Sequence, residues 1–349
     1  MIRRVLIFAL ALSSIASLAV AQGASSPAVG TTSGAIALAN LDHLIAQRAG
    51  SGGDGVAADE LWLMRARYLA DYAALDRGAA CADAPAPDAP GLLRRARARA
   101  AVHRFAAALA DLDAAARLGA DAATLFRLRA PIRIAQGAAD EVIAPLEAAA
   151  AREPDFANTG ALAVAYAGAG RFEDADREFQ AALDALDTTS PFPYAWLSFA
   201  RGTMWAEQAG DADRGARHLR RALDYLPQFV AANLHLAEIE ARRGDAAAAS
   251  ARLELVAERD DPEVLALLGR LHGASDPARG AAEIERARAR FESLLARQPL
   301  AFADHAAEFY LGAGADPQRA WRLASANFAE RKTPRARELL ERAARAQER

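Results

Sequence analysis

The residues that most resemble a chemical motif are the glycines of Gly50-Ser-Gly-Gly-Asp-Gly55, which fit the pattern G-x-G-x-x-G. A dinucleotide site requires that pattern between a strand and a helix of a βαβ unit. A predicted helix comes first here and no strand pattern is present in the sequence, so the segment is interpreted as a flexible linker. A Walker loop requires Gly-Lys, and Lys332 is the only lysine in the chain.

The histidines and the single cysteine offer little for metal binding or nucleophilic catalysis. No two histidines have the spacing H-x-x-x-H. His305 and Glu308 could share a helix face, but two ligands do not make a metal site, and we interpret them as polar residues on the surface. Cys81 has no base near it in sequence, which predicts an inert thiol, and a lone cysteine cannot form an intramolecular disulfide.

Other catalytic signatures are absent from the sequence. There is no G-x-S-x-G and no S-x-x-K, and the acidic residues are scattered along predicted helices opposite arginines, as on a solvated surface. A net charge of −3 gives no case for nucleic-acid binding. The sequence therefore predicts no enzyme, no metal and no cofactor. An envelope glycan-processing enzyme, or its accessory subunit, with its chemistry in the less regular C-terminal third, stays the weaker alternative.

The elements that would position any site are helices arranged as a repeat. Alanine is abundant and favours helices, and no segment alternates as a strand would. Six turns between paired helices recur at intervals of 33, 34, 33, 40 and 34 residues, at Ala70, His103, Gly137, Gly170, Gly210 and Gly244. Glycine suits a helix end that needs a left-handed backbone, so the alanine and histidine turns depart from the pattern.

The second helix of each pair carries small or apolar residues at fixed distances after the turn. They stand five residues after it (Leu75, Ala108, Val142, Ala175, Gly215, Ala249), nine after it (Ala79, Leu112, Leu146, Phe179, Leu219, Leu253) and twelve after it (Ala82, Ala115, Ala149, Ala182, Ala222, Val256). These distances lie on one helical face and predict close packing against a neighbouring helix. Seventeen residues after three of the turns, Pro87, Pro154 and Pro227 are expected to end this helix.

With this period and these residues, the chain resembles the tetratricopeptide repeat family. The resemblance covers residues 56–263 as six repeats, is strongest at 156–189, and implies an all-α, right-handed α-solenoid of helix-turn-helix repeats. Pro131 is expected to kink its helix or shift its start, and the extra residues before Gly210 are assigned to a surface insertion at 187–193.

Outside the six repeats, the chain divides into four further segments. Residues 1–21 are interpreted as a signal peptide, residues 22–55 as a linker with an N-terminal helix, residues 264–334 as two degenerate helical hairpins, and residues 335–349 as a C-terminal capping helix.

The signal peptide consists of Arg3 and Arg4, an apolar run and the cleavage site Ala19-Val-Ala21. It predicts export to the periplasm of a diderm bacterium, with secretion as an alternative. No later segment is apolar enough to span a membrane, so no span remains after cleavage, although an uncleaved anchor is the alternative.

The resemblance implies a protein or peptide partner, bound on the concave face that the first helices of the repeats line. The residues carried over to that face are Arg94, Arg97, Arg127, Arg201, His235 and Arg242. Such a cationic groove would suit an acidic partner or a free carboxylate. Two alternatives stay open: the arginines are neutralised by acids such as Asp111 and Asp113, or the aromatic segment 187–205 binds the partner or joins two copies into a homodimer.

Overall fold

A computed structural model describes residues 31–50 and 55–348. The chain divides into two compact units, with the boundary between Phe229 and Val230. The signal peptide and most of the glycine-rich linker lie outside the described residues. None of the described helices is long and apolar enough to cross a membrane.

The described residues are helical and contain no strand, which confirms the predicted all-α solenoid of paired helices. The helices of unit 1 are α1 (Gly34–Gly50), α2 (Gly55–Leu69), α3 (Tyr72–Gly78), α4 (Ala89–Ala101), α5 (Phe105–Arg117), α6 (Ala122–Ala135), α7 (Asp140–Arg152), α8 (Phe156–Gly168), α9 (Phe172–Asp184), α10 (Pro191–Thr203) and α11 (Ala212–Tyr225). Those of unit 2 are α12 (Val230–Arg242), α13 (Ala246–Glu254), α14 (Pro262–His272), α15 (Pro277–Arg297), α16 (Ala303–Leu311), α17 (Pro317–Glu330) and α18 (Pro334–Gln347).

All six predicted turns have a left-handed backbone. The four glycines have φ between 76° and 87°. The two turn residues that are not glycine also have positive φ, 50° at Ala70 and 60° at His103. For a residue with a Cβ this conformation costs roughly 1–2 kcal/mol, so the stacked helices must hold Ala70 and His103 in it. The repeat geometry therefore overrides residue preference at the first two turns.

The predicted packing face is buried in the second helix of every pair. All twelve residues five and nine positions after the turns are buried, as are five of the six at twelve positions, with Ala149 half-buried. Helices α7 and α11 end two residues before Pro154 and Pro227, as expected. Pro131 does not shift the start of α6, which begins at Ala122 beneath the capping carboxylate of Asp121.

The surface insertion predicted at 187–193 is wrong for its second half. Pro191, Phe192 and Pro193 are buried and open α10. Most of the extra length lies at the other end of this helix, where a π-helical turn continues it over Met204–Gln208. Gly215 of α11 packs against this turn so closely that a Cβ would lie 2.4 Å from Ala206 Cβ. The irregularity is thus built into a helix–helix contact.

Unit 2 is a series of helical pairs with its own core. Its helices include the pairs α14–α15 and α16–α17, which are followed by α18. Its core gathers apolar residues from these five helices, among them Leu265, Phe291, Tyr310, Ala324 and Leu339. The buried side of α18 is apolar, as expected of an amphipathic helix that covers one side of a core.

Candidate partner-binding surface

Helix α1 lies outside the repeat pattern, yet it packs on two repeats of unit 1 that are far apart in sequence. It contacts α2 in the first repeat and α10 in the fifth. At its start, a Cβ on Gly34 would lie 2.7 Å from the backbone oxygen of Tyr225, at the end of α11. A helix that merely extended the array would touch the first repeat alone. Helix α1 therefore bridges α2 and α10.

The buried side of α1 is an apolar stripe at helical spacing. Ala37, Leu41, Leu44 and Ile45 are buried, whereas Ile36 on the opposite side is 54% exposed. Asp42 of α1 forms an ion pair with Arg65 of α2, and Arg65 also binds Asp71 at 2.7 Å. The packing of α1 is thus mainly apolar, as in helix-in-groove recognition of a peptide.

Beside α1, the C-terminal end of α2 is joined directly to the start of α10. The Tyr68 hydroxyl donates a 2.7 Å hydrogen bond to the backbone oxygen of Phe192. Its ring stacks on that of Phe192 at 5.0 Å and meets Phe229 edge-on at 4.9 Å. Burial raises the pKa of Tyr68, so its hydroxyl stays a proton donor. The first and fifth repeats of unit 1 are therefore held together around a buried tyrosine.

The residue before Tyr68 is a buried cation without a counter-ion. Only 9% of Arg67 is exposed, and its Nε and Nη1 atoms have no hydrogen-bond acceptor. Within residues 31–50 and 55–348, no carboxylate forms an ion pair with it, and the polar group beside it is the Tyr68 hydroxyl. Burial lowers the pKa of Arg67. Burying a guanidinium without a counter-ion is unfavourable, so the surrounding packing must hold Arg67 in this place.

The basic residues of α4 that the sequence assigned to the groove are paired with acids of α2. Arg94 binds the Asp59 carboxylate through Nε at 2.6 Å and Nη2 at 3.1 Å, and Arg97 lies 4.0 Å from Glu60. Their neighbours Arg95 and Arg99 share the buried carboxylate of Asp111, at 2.7 and 2.8 Å. Carboxylates thus face the arginines of α4, although Arg94 and Arg97 meet Asp59 and Glu60 of α2 rather than Asp111 or Asp113.

The remaining predicted site residues do not form one surface. Arg201 binds Asp176 of α9 at 2.6 Å and is largely buried. Arg127 of α6 is exposed, with a hydrogen bond to Thr124. In unit 2, His235 is buried with its Nδ1 atom 3.7 Å from Glu238, and Arg242 is exposed. Arg127 is thus the predicted residue of unit 1 that is free to meet a partner.

The environment of Arg201 also fixes the protonation of its neighbours. Burial alone would raise the pKa of Asp176, but hydrogen bonds from Arg201 and the Trp205 indole outweigh it and lower the pKa. Burial, and then repulsion from Arg201, lower the pKa of His218 to about 4. His218 is therefore neutral near pH 7, and this cluster joins α9 to α10 and α11 without offering a free charge.

The aromatic residues of segment 187–205 form core. Phe192, Trp196, Phe199, Met204 and Trp205 are each at most 5% exposed. A second group of aromatic residues lies near the C-terminus, where Phe302, Phe309 and Tyr310 are buried and Trp321 is 40% exposed. Neither group presents a continuous aromatic surface, so core packing explains most of both.

Cys81 and the pair His305–Glu308 are engaged within the fold. Burial, and then the charge of Asp59, raise the pKa of the Cys81 thiol, in keeping with an inert cysteine. The interpretation of His305 and Glu308 as surface residues is wrong, because His305 is 5% exposed. The two point to different partners: Glu308 binds Arg342 at 2.9 Å, and His305 binds Glu263 at 2.9 Å.

His305 belongs to a buried charged cluster of unit 2. Its Nε2 atom lies 3.5 Å from Asp304, which in turn binds Arg331 at 2.9 Å. Asp304, His305 and Arg331 are each at most 5% exposed. Burial opposes protonation of His305, but the carboxylates of Glu263 and Asp304 outweigh it and raise its pKa to about 9. The cluster links α14, α16 and the end of α17 through a charged imidazolium.

Sequence reasoning missed Arg67, Tyr68 and the role of α1. The apolar spacing of α1 was visible in the sequence, and it predicts an amphipathic helix without naming what the helix packs against. Tyr68 carries no such signal, since its hydrogen bond reaches a residue 124 positions away in the chain, and the burial of Arg67 likewise depends on the fold.

Comparison with known proteins supports the repeat architecture. The family model described as tetratricopeptide repeat matches residues 206–271, which lie after the repeat at 156–189 that resembles the family most strongly. No curated protein matches the sequence.

Among solved structures, the chain is similar to one in the APC/C hetero-tetramer Cut9–Hcn1, with 14% sequence identity and a TM-score of 0.44. The match covers 86% of this chain and 64% of the other, so this chain spans less than two thirds of that protein's length. It is also similar to a tetratricopeptide repeat protein from Parabacteroides merdae, with 16% identity and a TM-score of 0.42, over 73% of this chain and 98% of the other. A third similar structure is that of a thermophilic TPR protein of Thermus thermophilus, with 23% identity and a TM-score of 0.41, over 53% of this chain and 98% of the other.

Proteins with this fold generally serve as scaffolds for protein–protein interaction, and the family is typically non-catalytic. The paired helices and the match of the tetratricopeptide repeat model at residues 206–271 thus confirm the predicted resemblance to that family.

Proposed function

We propose that this chain is a non-catalytic scaffold of the cell envelope that binds a protein partner through the first helices of the unit 1 repeats, here called the inner helices (α2, α4, α6, α8 and α10). The observation that carries the proposal is the packing of α1, an amphipathic helix outside the repeats, across α2 and α10. A surface that accepts one such helix has the shape and the apolar lining to accept another.

The envelope location rests on the sequence at residues 1–21. Its basic start, apolar run and Ala-x-Ala site have the form of a secretory signal, and export would place the mature chain in the periplasm. The partner is a protein or a peptide, because stacked repeats offer an extended surface rather than an enclosed pocket for a small molecule. Self-association through the same surface is an outcome of the test below.

Site-specific photo-cross-linking in the producing cell tests this proposal. A benzophenone amino acid replaces Arg127, exposed on α6, in one variant and Arg177, exposed on the second helix α9, in the matched control. The scaffold proposal expects a cross-link to a second envelope protein at position 127 and none at position 177. Equal cross-linking at both positions, or cross-links between copies of this chain alone, would contradict a heterologous partner on the inner helices.

A further inference from the structure

Three polar side chains of unit 2 form a series of hydrogen bonds that the proposed function does not use. The Oγ atom of Ser250 lies 2.7 Å from Nε2 of His272, and Nδ1 of the same ring lies 2.9 Å from both carboxylate oxygens of Glu283. The serine lies in α13, the histidine is the last residue of α14, and the glutamate lies in the second turn of α15. No local sequence motif connects them, because each comes from a different helix.

Close packing of α14 on α15 positions the imidazole against the carboxylate. A Cβ on Gly280 of α15 would lie 2.5 Å from the Cα atom of Gly273, which follows α14, so the two helices meet where a side chain would not fit. In the turn between them, the backbone oxygen of His272 accepts a 2.7 Å hydrogen bond from the N–H of Asp276. The fold therefore holds His272 both by its backbone and by its ring.

The hydrogen bonds also fix the direction in which a proton can move. A carboxylate only accepts, so Nδ1 of His272 must be the donor to Glu283. In the neutral imidazole Nε2 then carries the lone pair, and it accepts a hydrogen bond from the Ser250 hydroxyl. A nucleophile, its base and a carboxylate that orients the base have this relation in enzymes that form an acyl-serine.

The hydroxyl is accessible, whereas the groups behind it are shielded. Ser250 is half-buried, and the side chains of His272 and Glu283 are 12% and 13% exposed. The Glu254 carboxylate lies 3.7 Å from Nε2 of the ring, and Arg279 binds Glu254 at 3.0 Å and Glu283 at 3.2 Å. Arg279 therefore offsets the negative charge that the two carboxylates place around the imidazole.

We propose that Ser250 is a nucleophilic serine that accepts an acyl group from a small activated ester, with His272 as the base and Glu283 as a positioning residue. The Oγ atom forms a bond to the acyl carbon, and the bond from that carbon to the leaving oxygen of the ester breaks. The Oγ proton passes to Nε2 of His272 and then to the leaving oxygen, so the products are O-acylated Ser250 and an alcohol. This step modifies the scaffold once and requires no turnover, so the inference goes beyond the proposed function without resting on it.

Acetylation of the full mature chain by p-nitrophenyl acetate tests the proposal. Peptide mapping by mass spectrometry measures the rate at each serine, with Ser275 and Ser293 of unit 2 as internal controls. Both are exposed, and within the part of the chain that the structure describes neither hydroxyl is hydrogen-bonded to an imidazole. Ser250 should be acetylated at least about 100-fold faster than either control.

Two variants separate the base from the residue that positions it. His272→Gln should lower the rate at Ser250 to that of the control serines, with hydrogen exchange of α13 to α15 unchanged as evidence that the fold is intact. Glu283→Gln should lower the rate and move its pH profile to lower pH, because the charge that favours the protonated imidazole is gone. A merely structural role of Glu283 would lower the rate by one factor at every pH.

Acetylation of Ser250 no faster than that of the two controls, or an equal rate in His272→Gln, would overturn the inference. An unmoved pH profile in Glu283→Gln would overturn the role assigned to this carboxylate. Cross-linking at position 127 measures a different surface of the chain, so the scaffold proposal is tested separately.

Discussion

The buried imidazole of His305 should make the stability of unit 2 fall as the pH rises above neutrality. The Nδ1 atom lies 2.9 Å from Glu263 and the Nε2 atom 3.5 Å from Asp304. Burial and the nearby Arg335 oppose protonation, but the carboxylates outweigh them, and the pKa of His305 is raised from 6.5 to about 9. Protonated His305 therefore stabilises the folded state.

The magnitude follows from the gap between the native and unfolded pKa values. One pKa unit corresponds to about 1.4 kcal/mol, so this gap contributes about 3 kcal/mol to the free energy of unfolding. Because the native pKa is the higher one, the contribution is fully present below about pH 6.5 and is lost as the pH rises through about 9. His305→Gln removes the titrating group and should remove this dependence.

Urea denaturation at about pH 6 and about pH 9 measures the effect, with hydrogen exchange of α16 and α18 reporting on unit 2. Wild type should lose about 3 kcal/mol more than His305→Gln across that interval. His43→Gln, on the exposed side of α1, controls for the loss of a histidine. A wild-type profile parallel to that of His305→Gln would refute the reasoning.

Three further substitutions test single contacts by chemical denaturation. Gly244→Ala should lower stability by about 1 kcal/mol through backbone strain alone, because φ is 87° and a Cβ meets nothing within 4 Å; no loss would contradict the left-handed turn. Asp111→Asn should lower the free energy of unfolding by about 2–3 kcal/mol, which is less than for a fully buried ion pair because Arg95 and Arg99 are about one-fifth exposed. A neutral result would mean that these ion pairs do not hold α4 in place. Tyr68→Phe should cost about 1–2 kcal/mol and increase hydrogen exchange at the start of α10; unchanged exchange would argue against a hydrogen bond to Phe192.

The repeats could be predicted because their signals are local. A turn, a packing face and a closing proline recur within each 33- to 34-residue interval, and their spacing indicated even the left-handed turns at Ala70 and His103. The 40-residue interval was visible in the sequence, but its extra residues were assigned to the wrong end of α10. A π-helical turn after this helix and a longer loop before it lengthen the interval equally. Only the packing of Gly215 on Ala206 distinguishes them.

The candidate surface could not be predicted because it depends on contacts between distant repeats. The sequence shows that α1 is amphipathic but not that it packs across α2 and α10. Likewise, a basic helix such as α4 predicts a cationic groove, and only the fold shows that Asp59 and Glu60 of α2 face its arginines. Charge pairing between helices is a tertiary property, so the groove assignment of Arg94 and Arg97 rested on half of the relevant charges.

The central claim is that α1 packs across α2 and α10 in the free protein. Cys81 is the only cysteine, so a Cys81→Ser chain can carry spin labels at His43→Cys on α1 and Arg177→Cys on α9. Pulsed electron paramagnetic resonance then measures the distance between the labels. We predict one narrow distribution for the chain with Leu41 intact and a broad one for a Leu41→Asp chain, because a charge in the buried stripe releases α1. A broad distribution with Leu41 intact, or an unchanged narrow one in Leu41→Asp, would contradict the claim.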